Sequence, residues 1–322
     1  MLKEAAYHFY RFKYRYGKWL PLRVPVDVSL ELSSACSMQC VYCYHAESNK
    51  DHLPFTTGVM KKEVAFKIIK EAAELGVNSL KFNWKGEGTM NPHYTEIVSY
   101  AKSLAHGSTF IDRLANSNFK IPRGKRDDVF KGLATLTKVK VSYDSFFKNV
   151  FETQRAGGDH DLTTENIDLF YNHPDRIKSE TRLVIQAVRT NANKHEDIEG
   201  LTKARWPDAE ISIRDMVEGR LEQDVSDMAV KARDTSNRQS CLQAHTRLIF
   251  NHKGHASPCC PDIEERLFMG DINTQSLYDI FNGVPAKELR RLLKNKVAFE
   301  MDPCKSCSSY ETFKGFKPTW DS

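Results

Sequence analysis

Three cysteines near the start of the chain have the type and spacing that metal chemistry requires. Cys36, Cys40 and Cys43 lie within one short segment, separated by three and then two intervening residues. This spacing suits a loop that curls around one iron–sulfur cubane, with each thiolate on its own iron. Because such clusters normally take four cysteine ligands, one iron would stay open to another ligand, as catalytic metal sites require. The alternatives are a zinc knuckle that lacks a ligand and three cysteines buried for packing, although zinc ligands usually come as two close pairs.

A second set of cysteines lies near the C-terminus. Cys241 and Cys259 flank a segment that predicts a β-hairpin with its turn at Gly254. A Cys-x2-Cys pair, Cys304 and Cys307, follows at a distance. These four thiols could complete one closed tetrahedral centre, and either zinc or an iron–sulfur cluster would satisfy them.

Cys260 is the one cysteine outside both sets. It could take the place of Cys259 as a ligand, donate a hydrogen atom to a substrate, or fill space in a core. We expect the last of these roles, because a free cysteine usually behaves as a small buried hydrophobic residue.

The first cysteine segment, with the aromatic residue Tyr42 before its last cysteine, resembles the signature of the radical S-adenosylmethionine (radical SAM) superfamily. The resemblance implies a [4Fe–4S] cluster whose open iron chelates SAM, with Tyr42 among the residues that contact the cofactor. An electron from the cluster would cleave SAM to methionine and a 5′-deoxyadenosyl radical, which abstracts hydrogen from an unactivated carbon. In such enzymes the cofactor carries the difficult chemistry, while the protein binds, orients and protects it.

The second cysteine set resembles the auxiliary-cluster extensions of radical SAM enzymes called SPASM and twitch domains. This likeness implies one auxiliary [4Fe–4S] cluster, bound by Cys241, Cys259, Cys304 and Cys307. The expected cofactors are therefore two [4Fe–4S] clusters, one of which binds SAM, and SAM itself.

Further resemblances suggest side chains that contact SAM. The run Lys85-Gly-Glu-Gly88 is similar to the G-G-E-P element of the superfamily, although Lys85 and Gly88 depart from it. By this likeness Gly86 lets the backbone approach closely, and Glu87 accepts from the SAM amino group. A simple turn is the alternative.

Two later residues complete the expected SAM site. Ser142 belongs to a Val-Ser-Tyr-Asp run that resembles the superfamily's hydrophobic-Ser-x-Asp strand end, and would bind the SAM carboxylate or ribose. Arg155 precedes a glycine pair, as in many relatives, and its guanidinium fork suits the methionine carboxylate. A surface arginine in a glycine-rich loop is the alternative for Arg155.

Strand-like and helix-like stretches alternate along the chain, which predicts a parallel α/β fold. The predicted strands are 26–32, 77–84, 108–115, 138–143, 181–188 and 210–217. The predicted helices are 60–75, one that follows Pro92, 127–136, 164–171, 195–204, 276–281 and 286–294. Six units match the partial (β/α)6 TIM-type barrel of radical SAM enzymes, whose sites lie at the carboxyl ends of the strands. Near those ends, Gln186, Arg189, Arg214 and Asp215 could face the barrel interior or serve structure alone.

We expect three regions: an aromatic and basic N-terminal segment at 1–23, a radical SAM core at 24–235, and a small β-hairpin/α auxiliary-cluster domain at 236–322. Residues 7–19 interleave aromatic and basic side chains. Such a segment could bind nucleic acid. We favour instead a helix that packs its aromatic residues on the domain and extends its basic residues to water.

The composition is that of an ordinary globular protein, with 40% hydrophobic and 28% charged residues. The first residues contain no apolar stretch, so we expect no signal peptide, and no apolar run approaches the ~20 residues needed to span a bilayer. We expect a cytoplasmic protein with no membrane association, whose eight cysteines stay reduced and whose cysteine clusters indicate metal binding rather than disulfides. The net charge of +5 argues only weakly for an anionic partner.

The predicted activity is radical hydrogen abstraction from a small polar substrate, leading to dehydrogenation of a sugar or cyclitol, or to epimerisation or isomerisation. A reducing electron donor such as flavodoxin or ferredoxin would be a partner. The alternatives are radical modification of a nucleoside, a nucleic-acid base or a peptide. A non-catalytic, metal-stabilised binding protein is the alternative from a different class.

Overall fold

The computed structural model describes residues 2–46, 53–216, 226–230, 241–305 and 307. The helices are α1 (Leu2–Tyr16), α2 (Lys62–Glu74), α3 (Tyr94–Ser103), α4 (Arg126–Leu133), α5 (Lys148–Gln154), α6 (His160–Tyr171), α7 (Pro174–Ser179), α8 (Ile198–Arg205), α9 (Gln243–Thr246), α10 (Leu277–Asn282) and α11 (Val284–Lys294). The strands are β1 (Asp27–Leu30), β2 (Ser79–Lys81), β3 (Asp112–Ser117), β4 (Lys138–Ser142), β5 (Arg182–Arg189), β6 (Glu210–Asp215), β7 (Arg247–Phe250), β8 (His255–Ser257) and β9 (Gly270–Asp271).

One sheet contains all nine strands, in the order β6-β5-β4-β3-β2-β1-β7-β8-β9. Strands β1 to β6 pair in parallel in chain order, which confirms the predicted partial (β/α)6 barrel. Strand β7 then pairs in parallel with β1, and β8 and β9 continue antiparallel. The C-terminal hairpin therefore extends the same sheet rather than standing apart from the barrel, and this connection fixes it beside the first strand.

The two faces of the parallel strands differ in chemistry. On β4, Val139 and Val141 are fully buried in the apolar core, so Lys138, Lys140 and Ser142 project to the opposite face. The strand register extends this inner face across the sheet. Its members include Asp27, Ser29, Lys81, Leu114, Asn116, Gln186, Ser212 and Arg214. A largely polar inner face is therefore enclosed by an apolar outer layer.

Helix α1 covers the amino-terminal end of this inner face. The buried Tyr10 hydroxyl donates to Asp112 on β3 over 3.3 Å, and Tyr14 accepts from Arg247 on β7 over 2.9 Å. The helix and its packing against the domain are as predicted for these two tyrosines. The helix therefore leaves the opposite, carboxyl end of the strands as the approach to the inner face.

The outer side of α1 differs from the prediction. Phe9, Phe12 and the following Trp19 are exposed, because a single helix can turn only one stripe of side chains towards the domain. Lys18 lies 4.0 Å from the centre of the Trp19 ring. Only part of the aromatic content of the 7–19 segment therefore packs inward.

The start of strand β3 departs from the sequence prediction. Strand β3 begins at Asp112 rather than near residue 108, because residues 106–109 form a turn and Phe110 takes a left-handed backbone conformation with φ 52°. Helix α3 begins at Tyr94, two residues after Pro92, as the sequence predicted. No helix in the described part of the chain is long and apolar enough to cross a membrane.

Candidate active site at the carboxyl ends of the strands

The first cysteine segment follows β1 and docks on the loop after α5. The Gln39 amide donates to the Ala156 carbonyl over 2.7 Å, and the Val41 amide donates to the Gln154 carbonyl over 3.0 Å. A further hydrogen bond of 2.9 Å, from the Cys43 amide to the Cys40 carbonyl, closes a tight turn within the segment. These backbone bonds fix the cysteine loop at the carboxyl ends of the parallel strands, where sites of such folds lie.

The thiols of this loop lie in a desolvated environment. Burial, and then the nearby Glu87 carboxylate, raise the pKa of Cys36 to about 12, and Cys40 and Cys43 add to the rise. Burial raises the pKa of Cys40 to about 11, against the lowering effect of Arg155. Clustered, buried thiols have little reason to ionise alone, whereas a bound iron centre supplies the positive charge that stabilises thiolates. The donor set therefore fits a metal cluster.

Within the described residues, no three His, Cys, Asp or Glu side chains converge as the ligands of one metal ion would. A cubane does not require such convergence, because each thiolate binds a different iron. Cys36, Cys40 and Cys43 would hold the cluster here.

Arg155 lies directly behind the cysteine loop. Its guanidinium donates to the buried Asp144 carboxylate over 2.8 Å and lies 3.7 Å from the Cys40 sulfur. The Tyr42 hydroxyl donates to the other oxygen of Asp144, in a short hydrogen bond, and the Tyr42 ring stands 5.9 Å from the guanidinium carbon. Asp144 also accepts from the Val188 amide over 2.8 Å. Tyr42, Asp144 and Arg155 thus form one buried unit that ties the loop to β5.

Gly86 is required by a close backbone approach. A Cβ at this position would lie 2.4 Å from the Ala35 carbonyl oxygen and 2.5 Å from the Ser34 carbonyl carbon. The next amide, of Glu87, donates to that same Ala35 carbonyl over 2.9 Å. The Gly-Glu element therefore clamps the backbone that leads into the first cysteine of the loop.

Glu87 is buried, and its carboxylate has contacts within the protein. One oxygen accepts from the Thr89 hydroxyl over 2.8 Å, and the other accepts from the Asn118 amide over 2.7 Å. Burial raises the pKa of Glu87, against the lowering effect of these hydrogen bonds. Its contact with the SAM amino group, expected from the sequence, stays a prediction, and its observed role is to join the loop after β2 to the loop after β3.

Asn118 is a site residue that the sequence reasoning missed. Its side-chain amide donates to the Ser37 hydroxyl over 3.1 Å and lies 3.7 Å from the Cys36 sulfur. It follows the end of β3, and polar residues at the carboxyl end of each parallel strand were the signal that could have identified it. Ser142, at the end of β4, lies on the inner face in register with Gln186. By the same strand register Arg214 lies on this inner face, whereas Arg189 and Asp215 lie on the opposite face of the sheet.

The second cysteine set gathers around the β7–β8 hairpin. Burial raises the pKa of Cys259 well above its usual range, with further contributions from Cys241, Cys260 and Cys304. Burial likewise raises the pKa of Cys241, to which Cys307 and Cys260 contribute. The four thiols that were expected to act together are therefore electrostatic neighbours, and Cys259 and Cys241 are partly buried. All four thiols would hold the auxiliary cluster.

Cys260 lies in partly polar surroundings. Its thiol lies 3.5 Å from the Gln243 side-chain oxygen, to which it donates, and its backbone carbonyl accepts from the Trp84 indole over 3.1 Å. It is also an electrostatic neighbour of the other C-terminal thiols. Cys260 was expected to fill space in an apolar core, whereas it occupies a polar position between the hairpin and the end of β2.

Lys85 links the barrel to the C-terminal region. Its buried ammonium lies 3.7 Å from Glu31 and makes a shorter ion pair with Glu265. Glu31 in turn accepts from the His252 amide over 3.1 Å. This network gives a physical reason for the lysine at the position where the superfamily element has glycine.

The fold and the cysteine arrangement together resemble those of radical SAM proteins with a C-terminal SPASM-type domain. Residues 241–308 match the SPASM family, described as an iron–sulfur cluster-binding domain. The predicted cofactors, two [4Fe–4S] clusters and SAM, are those that this class of protein carries. The seven cluster cysteines and the SAM contacts stay predictions residue by residue.

Known proteins with similar sequence are named GTP 3′,8-cyclase. One from Clostridium botulinum (strain Hall) is 25% identical over 187 residues, which is 58% of this chain and 54% of the relative. The chain thus spans about half the length of the curated relatives it matches.

Solved structures with a similar fold include proteins bound to S-adenosylmethionine. BtrN in complex with AdoMet and 2-DOIA has a TM-score of 0.56 at 16% identity, over 88% of this chain and 92% of that one. SuiB from Streptococcus suis, bound to S-adenosylmethionine, has a TM-score of 0.65 at 14% identity, over 92% and 76%. At such identities the likeness establishes the fold alone.

Proposed function

We propose that this protein uses SAM to abstract hydrogen from a carbon of a small polar substrate, with dehydrogenation, epimerisation or isomerisation as the outcome. The observation that carries the proposal is the placement of the three-cysteine loop at the carboxyl ends of β1 to β6, above a polar inner face. A polar face of this kind suits hydroxylated substrates, because each buried polar group needs a hydrogen-bonding partner.

When bound, the cluster at Cys36, Cys40 and Cys43 would supply the electron that cleaves SAM. The protein's own residues position that centre. Arg155, Asp144 and Tyr42 hold the loop from behind, and Glu87 and Asn118 hold it from the side of β2 and β3. Burial of these groups excludes water, which protects a reactive radical from side reactions.

The C-terminal thiols support an electron-transfer role for the auxiliary centre. Four cysteines would leave no iron open to substrate, so the centre suits an electron acceptor better than a Lewis acid. This favours a net oxidation of the substrate, or a redox-neutral return of hydrogen. The electron for SAM cleavage would come from a flavodoxin or ferredoxin partner.

The first experiment is anaerobic reconstitution followed by product analysis with a panel of cyclitols and sugars. We expect about eight irons per chain and SAM-derived 5′-deoxyadenosine as the main product. Replacing Cys36, Cys40 and Cys43 with Ala should halve the iron and abolish SAM cleavage. Cys260→Ser is the matched control, because the Cys260 thiol donates a hydrogen bond to Gln243. This variant should keep the iron content. Methylthioadenosine or S-adenosylhomocysteine as the main product would overturn hydrogen abstraction.

A nucleotide is the second candidate substrate, since the curated relatives are named for a reaction of GTP. Adding GTP and other nucleoside triphosphates to the same panel separates the two candidates. Substrate-dependent loss of a nucleotide, with 5′-deoxyadenosine formed in step, would favour the nucleotide. Zinc instead of iron, with no SAM cleavage under any condition, would favour a non-catalytic binding protein.

A further inference from the structure

Lys140 lies in the middle of the polar inner face. It is the central residue of β4, and its neighbours Val139 and Val141 are fully buried on the outer side. The register places Lys140 beside Asn116 of β3 and Val184 of β5. Ser142 lies two residues nearer to the cysteine loop on the same face. Lys140 is therefore deeper in the barrel than the residues expected to contact SAM.

The ammonium of Lys140 has no ion pair or hydrogen bond to any residue that the structure describes. The two nearest lysines on the same face are already neutralised. Lys81 pairs with Asp27 over 2.9 Å, and Lys138 pairs with Glu210 over 2.9 Å. Lys140 is thus a cation on this face that forms no direct ion pair with the residues that the structure describes.

The surroundings of Lys140 are predominantly cationic. Burial, followed by Arg214, Lys138 and Lys81, lowers the pKa of Lys140 to about 8, and Asp112 opposes this lowering. Arg182 of β5, also near this face, pairs with Glu210 over 3.2 Å. Burying a charge without a partner is costly, so a folded protein usually compensates it with an opposite charge.

A second unsatisfied group lies next to Lys140. The side-chain oxygen of Asn116, its register neighbour, is buried and has no hydrogen-bond donor among the described residues. An ammonium that needs an anion and an amide oxygen that needs a donor are complementary to an anionic molecule that also carries a hydroxyl group. Helix α1 covers the far end of this face through Tyr10 and Tyr14, so such a molecule would enter from the side of the cysteine loop.

We propose that Lys140 binds a carboxylate or phosphate group of the substrate within the barrel, and that Asn116 accepts a hydrogen bond from a substrate hydroxyl beside it. This inference rests on the proposed function and narrows the substrate to an anionic, hydroxylated molecule. SAM carries a carboxylate of its own, but the depth of Lys140 below Ser142 favours the substrate as the source of the anion.

The first test uses inorganic phosphate as the probe on the reconstituted protein. Phosphate should raise the melting temperature of the wild type, and Lys140→Met should abolish most of this rise. Because Lys140→Met removes a partly buried charge that has no direct ion-pair partner among the described residues, the variant should fold. Lys140→Arg keeps the charge and should keep at least part of the response. Lys138→Met is the matched control on the same strand and face, and should retain most of the response because Lys138 is already paired with Glu210.

Equal loss of the phosphate response in Lys138→Met and Lys140→Met would overturn a specific site at Lys140. So would the absence of any phosphate response in the wild type.

The second test separates the two sources of the anion. SAM affinity, measured by titration without substrate, should be the same in Lys140→Met and in the wild type. A tenfold loss of SAM affinity in this variant would assign Lys140 to the SAM carboxylate and overturn the substrate site. If the wild type binds phosphate through Lys140 but never cleaves SAM, the proposed function fails while the anion site stands.

Discussion

The Arg155 guanidinium lies 2.8 Å from the Asp144 carboxylate, and both side chains are almost wholly removed from solvent. Removing one member of such a pair destabilises a protein more than removing both, because the remaining charge is then buried without a partner. Asp144 also accepts from Tyr42 and from the Val188 amide. The pair therefore joins the cysteine loop, the end of β4 and the end of β5.

Replacing Asp144 with Asn should destabilise the fold by about 3–5 kcal/mol, because Arg155 would keep its charge in a buried position. Urea unfolding of the apo-protein measures the change. The control is Asp127→Asn, which breaks the exposed pair between Asp127 and Lys131 and should leave the unfolding midpoint in place. If the two variants unfold at the same urea concentration, the buried pair does not stabilise this region.

Gly86→Ala should weaken the first cluster site while leaving the fold intact elsewhere. The added methyl group would overlap the backbone of Ser34 and Ala35, which cannot move without displacing the segment that leads to Cys36. We expect about half the wild-type iron after reconstitution, and strongly reduced SAM cleavage. Gly124→Ala is the matched control, because a Cβ there has no neighbour within 4 Å. Full iron content in Gly86→Ala would show that the loop tolerates the displacement.

The sequence predicted the parallel α/β architecture, because the alternation of strands and helices depends on local pattern, and the resemblance to radical SAM enzymes supplied the partial barrel. Helix α2 and strand β4 fall close to their predicted bounds, since each carries a regular apolar period. Strand β3 was placed too early because the apolar Phe110 continues the strand pattern, while its left-handed conformation interrupts the strand. The pattern of apolar residues does not reveal such a left-handed residue.

The contacts around the site could not be predicted in the same way, because they join distant parts of the chain. Asn118 reaches Ser37 across 81 positions, and the ion pair between Lys85 and Glu265 spans 180. The phase of β4, which puts Lys140 on the inner face, became clear only from the burial of Val139 and Val141. The pairing of β7 with β1 has no signal in either strand taken alone.

Lys85→Met should loosen the C-terminal hairpin from the barrel. Glu31 and Glu265 would keep their charges near each other without the ammonium between them, and Glu31 is fully buried. We expect a loss of roughly 3–5 kcal/mol in unfolding free energy, and faster amide hydrogen exchange in β8 and β9. Adding Glu265→Gln should recover part of the loss, since one uncompensated charge is then removed. Unchanged exchange in both strands would show that other contacts hold the hairpin.

The stability of the C-terminal region should fall as the pH drops towards mildly acidic values because of His245. Burial, with Arg290 and Lys18 nearby, lowers the pKa of His245 from 6.5 to about 4. Between these two values the unfolded chain takes up a proton that the folded chain does not, so the folded state loses stability as the pH falls through 6.5. Above 6.5 the histidine is neutral in both states and contributes no pH dependence.

His245→Gln removes the titrating group, and should flatten the decline in stability between about pH 7.5 and 5.5 by roughly 1–2 kcal/mol. Urea unfolding at a series of pH values measures this difference between variant and wild type. Lys18→Gln removes one of the nearby cations and should give an intermediate slope, because part of the lowering of the His245 pKa is relieved. An identical slope in wild type and His245→Gln would mean that His245 titrates alike in the folded and unfolded chain, contrary to its buried, cation-flanked position.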